Sequence, residues 1–246
     1  MGVRPRQAIR IHRRRISPAA HGCALGGRAF RPYTGTVNRE QISQQHEAFL
    51  ASAERAQWVP ADYFRRAALS EIFLRPAPLE IDLGCGDGAF ILAMAARFPD
   101  RNFLGTERLL GRVEKVCRAI ARHALANCRI LRLESLYTVR SLLPPGCASV
   151  VHIAFPDPWP KRQHHERRLF TDEFMLALHQ VLAPGGEVLI KTDDKPYFDW
   201  IERIISRAQG FTRIEWIEEE GWPKTDFEKH FLAQSMPIHR ARLKKI

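Results

Sequence analysis

The segment Phe155-Pro156-Asp157-Pro158-Trp159-Pro160-Lys161 sets one carboxylate and one indole among three prolines, and Arg162, His164, His165, Arg167 and Arg168 follow at once. Each proline fixes φ and lacks a backbone N–H, so the stretch is neither helix nor central strand. The apolar run before it, residues 150–155, reads as a buried strand. A stiff loop at the end of a strand therefore carries a carboxylate, a ring and a dense cationic run. Stiffness lowers the entropic cost of holding a planar ligand beside a charge. The cations suit a ligand attached to a polyanion.

A second constellation lies upstream. Leu79-Glu80-Ile81-Asp82-Leu83-Gly84-Cys85-Gly86-Asp87-Gly88 reads as a strand entering a glycine-rich loop that opens a helix. Glycines there let the backbone adopt φ > 0 and approach a ligand closely. Gly84, Gly86 and Ala89 satisfy the permissive dinucleotide pattern, and Glu107, at the end of the next strand, suits ribose hydroxyls. The pattern alone does not separate a nicotinamide cofactor from another adenosine cofactor. Glu80, Asp82 and Asp87 crowd the loop with carboxylates, which favours a cationic ligand such as S-adenosyl-L-methionine over a pyrophosphate. The proline-rich carboxylate loop, which hydride transfer does not require, points the same way.

The elements that must position these groups alternate. Strands are expected at residues 79–83, 102–107, 129–133, 149–155, 187–192, 212–217 and 237–243. Helices are expected at 88–98, 109–125, 173–182 and 197–209, with two more before the first strand, at 38–56 and 60–73. This alternation predicts an α/β fold with a mostly parallel sheet and helices on both faces. Pro184-Gly185-Gly186 marks a sharp turn into the fifth strand.

With 38 Lys+Arg against 27 Asp+Glu, the formal charge of +11 favours an anionic partner, nucleic acid before an acidic membrane surface. Residues 1–39 hold nine arginines and no acid, and read as a basic, disordered extension before a domain over 40–246. An RNA-contacting arm, a transit peptide and a stretch added by an upstream start all fit that extension. Five cysteines without a C-x-x-C pair suggest reduced, intracellular usage, hence a cytoplasmic protein. No zinc signature is present, so no metal is expected. No apolar run approaches the ~20 residues of a membrane span.

The glycine loop with Glu107 resembles motif I and the acidic second-strand end of class I methyltransferases. The proline-rich loop with Arg167-Arg168 resembles the signature of the bacterial tRNA (guanine-N7-)-methyltransferase family. Lys191-Thr192-Asp193 with Pro196-Tyr197, then Thr225-Asp226-Phe227-Glu228, then Pro237-Ile238-His239-Arg240 are similar to later segments of that family, in the family order. The resemblance covers roughly residues 79–246. It implies a Rossmann-like class I methyltransferase fold with a seven-stranded sheet, one strand near the C terminus being antiparallel.

It also implies methyl transfer from S-adenosyl-L-methionine to N7 of a guanine in tRNA, at variable-loop position 46. In that resemblance Glu80, Gly84, Gly86, Glu107, Glu134 and Asp157 line the cofactor pocket, and Asp157 is the catalytic candidate. Lys161, Asp193, Thr225, Asp226, Phe227 and Glu228 face the guanosine, while Arg162, Arg167 and Arg168 join Lys161 in positioning phosphates. Glu134 departs from the Asp common in the family, and Ser235-Met236 replaces a glycine-containing pair.

Blander readings stand beside these. Trp159 is either a stacking platform or a core indole. Asp193 is either a guanine contact or the cap of the following helix, and Thr225 with Glu228 is either a substrate contact or a capping box. A methyltransferase for another base or a small molecule, or a non-catalytic RNA-binding relative, remains the alternative function.

Overall fold

The computed structural model describes residues 39–217 and 221–246; the expected disordered extension lies outside them, save for Arg39, which opens the first helix. The elements in chain order are α1 (Arg39–Ala56), β1 (Gln57–Trp58), β2 (Leu79–Leu83), α2 (Ala89–Arg97), β3 (Asn102–Thr106), α3 (Leu110–Arg122), β4 (Cys128–Leu131) and α4 (Ser135–Tyr137). They continue with β5 (Ala148–Ala154), α5 (Asp172–Val181), β6 (Leu182–Thr192), α6 (Lys195–Ile205), β7 (Phe211–Ile214), α7 (Asp226–Ala233) and β8 (His239–Lys245).

The sheet runs β1-β4-β3-β2-β5-β6-β8-β7. Strands β1 to β6 pair in parallel, and β8 lies antiparallel to both β6 and β7. All five residues of β2 and of β3 are buried, as a parallel sheet covered on both faces demands. Side chains of a strand alternate between faces. Phe103 and Ile130 therefore join Phe90, Met94, Val113, Val116 and Ile120 of α2 and α3 in one apolar cluster. Leu104 and Leu131 join Phe174, Leu178, Tyr197 and Ile201 of α5 and α6 in the other. In α3 the spacing of Val113, Val116, Cys117 and Ile120 aims one stripe at the sheet.

Three expectations change. The sheet has eight strands, because Gln57 and Trp58 add a parallel edge beside β4 that is too short to show in a sequence pattern. No helix forms over 60–73 beyond a single 3₁₀ turn at Leu69–Glu71. There the polar groups pair outward: Arg66 donates to the carbonyls of Leu143 and Arg140, and the Ala67 N–H to Leu142 O at 2.8 Å. The turn expected at Pro184-Gly185-Gly186 is a bulge within β6. Leu182 pairs with Ala148 and Glu187 with Val150, so the residues between them loop out, with Gly185 at φ 73°.

This topology places one loop after each of five adjacent strands at the same sheet edge. These are Glu134 after β4, Glu107 after β3, the glycines after β2, the prolines after β5 and Asp193 after β6. The strand order reverses between β2 and β5, the position where ligands settle in open α/β sheets.

Candidate active site

The glycine loop is fastened to β3 and open on its other side. The N–H groups of Gly84 and Cys85 donate to Thr106 O at 3.1 and 2.8 Å. Gly84, Gly86 and Gly88 take φ of 83°, 56° and 83°, a region that L side chains avoid. A Cβ on Gly84 would meet nothing within 4 Å, and on Gly86 only Gly84 O at 4.0 Å. Gly88 differs: a Cβ there would stand 2.7 Å from both methyls of Val116. Gly88 thus lets α2 and α3 pack closely, while Gly84 and Gly86 leave room beside the backbone.

Among the carboxylates, Glu80 is not available to that room. Its Oε1 accepts from Arg101 Nη1 at 2.7 Å, and its Oε2 lies 2.7 Å from His152 Nε2. Burial pushes the Glu80 carboxyl up, but the bonds and charges of His152 and Arg101 outweigh it and hold the group below the usual range. Asp82, two residues nearer the loop, is 5 % exposed and has no hydrogen bond or ion pair among the described residues. Burial raises its carboxyl to about 6, with His152 pulling the other way. Glu80, expected in the cofactor pocket, is thus engaged by Arg101 and His152, while Asp82 lies nearer the loop. The sequence signal was present, since Asp82-x-Gly84-x-Gly86-x-Gly88 keeps the spacing from carboxylate to glycines.

The remaining acidic candidates are partly engaged. Glu107 Oε1 accepts from the N–H groups of Arg108 and Leu109 at 2.7 and 2.9 Å, and its Oε2 lies 3.6 Å from Arg112 Nη1. Glu134 caps α4, accepting from Leu136 N at 2.9 Å and Tyr137 N at 2.7 Å. Asp87 faces Lys115 and Arg112 at 3.3 and 3.8 Å, so its charge is answered by α3 and not held open for a cationic ligand.

The proline-rich loop is held from beneath. Phe155 N donates to Lys191 O at 2.8 Å. Phe155 and Trp159 take φ of 53° and 43°, unusual for bulky residues, and Asp157 lies exposed between them. Arg168, expected to position phosphate, is engaged within the protein. It is 7 % exposed, donates Nε to Pro158 O at 2.9 Å and lies over the rings of Tyr197 and Trp200 at 5.0 and 5.2 Å. Such a guanidinium braces the loop from within the protein. Lys161, Arg162 and Arg167 are exposed and without an ion pair among the described residues. Trp159 is half-buried, with the Arg167 guanidinium 5.1 Å from its ring and His164 edge-on at 5.8 Å, so it is not a core indole.

The later segments return to the same edge. Asp194, not Asp193, caps α6, its Oδ1 accepting from Tyr197 N at 2.6 Å; Asp193 stays half-buried after β6. Thr225 is the N-cap of α7, accepting from Glu228 N at 3.0 Å. Asp226 pairs with Lys229 at 3.1 Å. Phe227 is 55 % exposed, its ring 6.3 Å from Phe155. Glu228, 1 % exposed, accepts from Lys191 Nζ at 2.8 and 2.9 Å, with Arg240 Nη2 at 3.6 Å. Lys191, Thr225 and Glu228 line a small cavity of about 20 Å³ together with Phe90, Trp216 and Trp222.

Residues 76–241 match a family described as "Putative methyltransferase". The chain is similar to the tRNA (guanine-N(7)-)-methyltransferase of Syntrophotalea carbinolica, 30% identical over 73% of this chain and 77% of the relative. It is similar to the protein of that name from Chlorobium phaeobacteroides, 35% identical over 70% of this chain and 91% of the relative. Among solved structures it is similar in fold to the 16S rRNA methyltransferase KamB, with a TM-score of 0.54 at 17% identity over 78% of this chain and 97% of that one.

Proposed function

Since the chain belongs to the tRNA (guanine-N7-)-methyltransferase family, we propose that it transfers a methyl group from S-adenosyl-L-methionine to N7 of a tRNA guanine, at variable-loop position 46. Residues 40–246 are the methyltransferase domain in this reading. The observation that carries it is one sheet edge with an open glycine loop beside the buried Asp82 and a braced Asp157 flanked by exposed cations, none of these side chains forming an ion pair among the described residues.

The residues present fit this cofactor. Asp82 is a buried carboxylate with no hydrogen bond or ion pair among the described residues, which suits a ligand carrying positive charge and no phosphate. Gly84 and Gly86 leave space at their backbone for an adenosine, and in this reading Glu107, whose Oε2 lies 3.6 Å from Arg112 Nη1, takes the ribose hydroxyls. When bound, the cofactor supplies an electrophilic methyl on a sulfonium.

The nucleophile, N7, has a lone pair and no proton, so no general base is required. The chain's work is alignment, which is worth ~7–11 kcal/mol when it is good. Asp157 accepts from the guanine N1–H and N2–H edge and stabilises the positive charge the ring acquires. Lys161, Arg162 and Arg167 take phosphates; Trp159 and Phe227 offer ring faces to bases.

Incubation with methyl-labelled cofactor and unmodified tRNA transcript, followed by digestion, tests the reading. Label is expected in 7-methylguanosine, and label in any other nucleoside overturns it. Moving the target guanosine away from position 46 tests the finer assignment.

Two further outcomes are expected. A cationic ligand binds ionised Asp82, so cofactor affinity should rise as pH climbs through about 6. At pH 5 the proton must be expelled first, a loss of about tenfold against pH 7. Calorimetry at both pH values checks this, and Asp82→Asn should abolish the dependence. Arg168→Ala should lower kcat at least about tenfold by releasing the Pro158 carbonyl, since a bond to a charged group contributes ~1.5–3 kcal/mol. It should leave the salt slope of tRNA binding unchanged, whereas Arg162→Ala should reduce that slope by about 0.7–0.9.

A further inference from the structure

Phe155, Phe227 and Phe231 form a triangle of rings that neither apolar cluster of the fold includes. The Phe155 ring centre lies 5.3 Å from that of Phe231 and 6.3 Å from that of Phe227. Phe227 and Phe231 stack, with centres 6.3 Å apart and planes at 21°. The triangle lies at the surface: Phe227 is 55 % exposed, and Phe155 and Phe231 are half-buried. A ring left there forgoes much of the free energy of burial. Phe155 forgoes more, since its φ of 53° is strained for a bulky residue and persists only where the surroundings hold it. Nor does α7 need Phe227 as its anchor, because Glu228 of the same helix already binds Lys191 of β6.

Place and size identify what such a patch takes. Phe155 is two residues from Asp157, at most ~7 Å along an extended chain. The exposed Lys161 and Arg162 follow on the same loop. Asp226, next to Phe227 in the chain, is answered by Lys229 at 3.1 Å, so it does not set the patch against a polyanion. Three rings fall far short of the ~800 Å² per partner of a stable protein interface. They match the face of one nucleobase, and every base has a π-face that stacks on an aromatic side chain. Taking a base out of its stack also bares a face of its neighbour. We propose that this patch stacks the base of the nucleotide adjoining the target guanosine, with Phe227 as the ring it lies on. The inference rests on the function proposed above.

The two contacts then divide the work. Asp157 reads the edge of one base, and the rings restack the next one, offsetting part of the cost of separating them. Stacking tolerates any base, so the patch needs a neighbour to be present and not a neighbour of one kind. Phe155 ties the two together, because its ring is a corner of the patch and its N–H, bonded to Lys191 O at 2.8 Å, roots the Asp157 loop on β6. The spacing between the two bases is thereby set by one short stretch of chain.

The test uses full-length protein and three tRNA transcripts: intact, abasic on the 5′ side of the target guanosine, and abasic on its 3′ side. Wild type should lose about 5- to 150-fold in kcat/KM on at least one abasic transcript, the usual worth of one stacked base. Phe227→Ala should lose a similar factor on the intact transcript and treat that transcript and the abasic one within about twofold. Phe227→Tyr, which keeps the ring, should behave as wild type. Phe227→Leu, apolar but without a π-face, repeats the comparison should the alanine variant fold poorly. Wild type active on the intact transcript but indifferent to both abasic ones overturns the inference. So does an alanine or leucine variant as sensitive as wild type, or a tyrosine variant as impaired as alanine. Sedimentation showing a wild-type dimer that Phe227→Ala dissociates gives the patch to a second copy of the chain and overturns it too. A wild type that makes no 7-methylguanosine on the intact transcript instead overturns the function on which the inference rests.

Discussion

Asp157→Asn should lower kcat for 7-methylguanosine formation by about 100- to 1,000-fold, the usual loss when one preorganised group aimed at developing charge is removed. Cofactor affinity should stay within about twofold. The substitution keeps the shape of the side chain and removes only its charge. Asp157 is exposed and makes no hydrogen bond among the described residues, so the loop does not depend on it for its form. That form comes from Pro156, Pro158 and Pro160, from Arg168 on the Pro158 carbonyl, and from Phe155 N on Lys191 O. A negative charge close to the guanine stabilises the transition state more than the neutral ground state, so the loss belongs in turnover. Single-turnover rates with calorimetry on the same preparation separate the two quantities. Equal losses in both would assign Asp157 to the cofactor's ammonium group.

Glu228→Ala should be the most damaging single change to stability outside the apolar core. It strips a carboxylate partner from Lys191, which is only 7 % exposed, and takes the same carboxylate away from Arg240. Breaking a buried pair from one side costs about 3–5 kcal/mol. For a domain of this size that amounts to a fall in Tm of about 6–20 °C. Lys191→Met/Glu228→Leu should recover most of it, because apolar side chains of similar volume replace such pairs at little net cost. Thermal unfolding of the two variants decides this, and an equal fall in both would show that shape, not charge, holds α7 in place.

The sequence carried the fold in the features that repeat. Buried runs such as 79–83 and 149–155 announce strands because both faces of a parallel sheet are covered, and the i, i+3, i+4 stripe of Val113, Val116 and Cys117 announces α3. It carried the loops of the site because proline and glycine restrict or free the backbone locally. What it did not carry were partners from distant segments. Arg168 and Arg167 are neighbours of one type, yet only Arg168 turns under the loop, since Tyr197 and Trp200 of α6 provide its stack. Glu80 and Asp82 both read as pocket carboxylates; Arg101 and His152 engage the first and leave the second. Whether Asp193 or Asp194 capped α6 turned on a one-residue offset that composition does not resolve.

The strand order has a consequence for assembly. β8 lies between β6 and β7, although both precede it in the chain. As a chain grows from its N terminus, β2 to β6 can pair while β7 has no neighbour to join. Until β8 is made, β6 is a bare edge, the kind of surface that recruits strands from other molecules. Lys191 and Thr192 pair with Arg240 and His239, so the same late insertion that seals the edge also fixes the end of β6 beside the site and brings Arg240 up to Glu228. A nascent chain halted before β8 would thus be both inactive and adhesive, and prompt completion of the final strand guards against both at once.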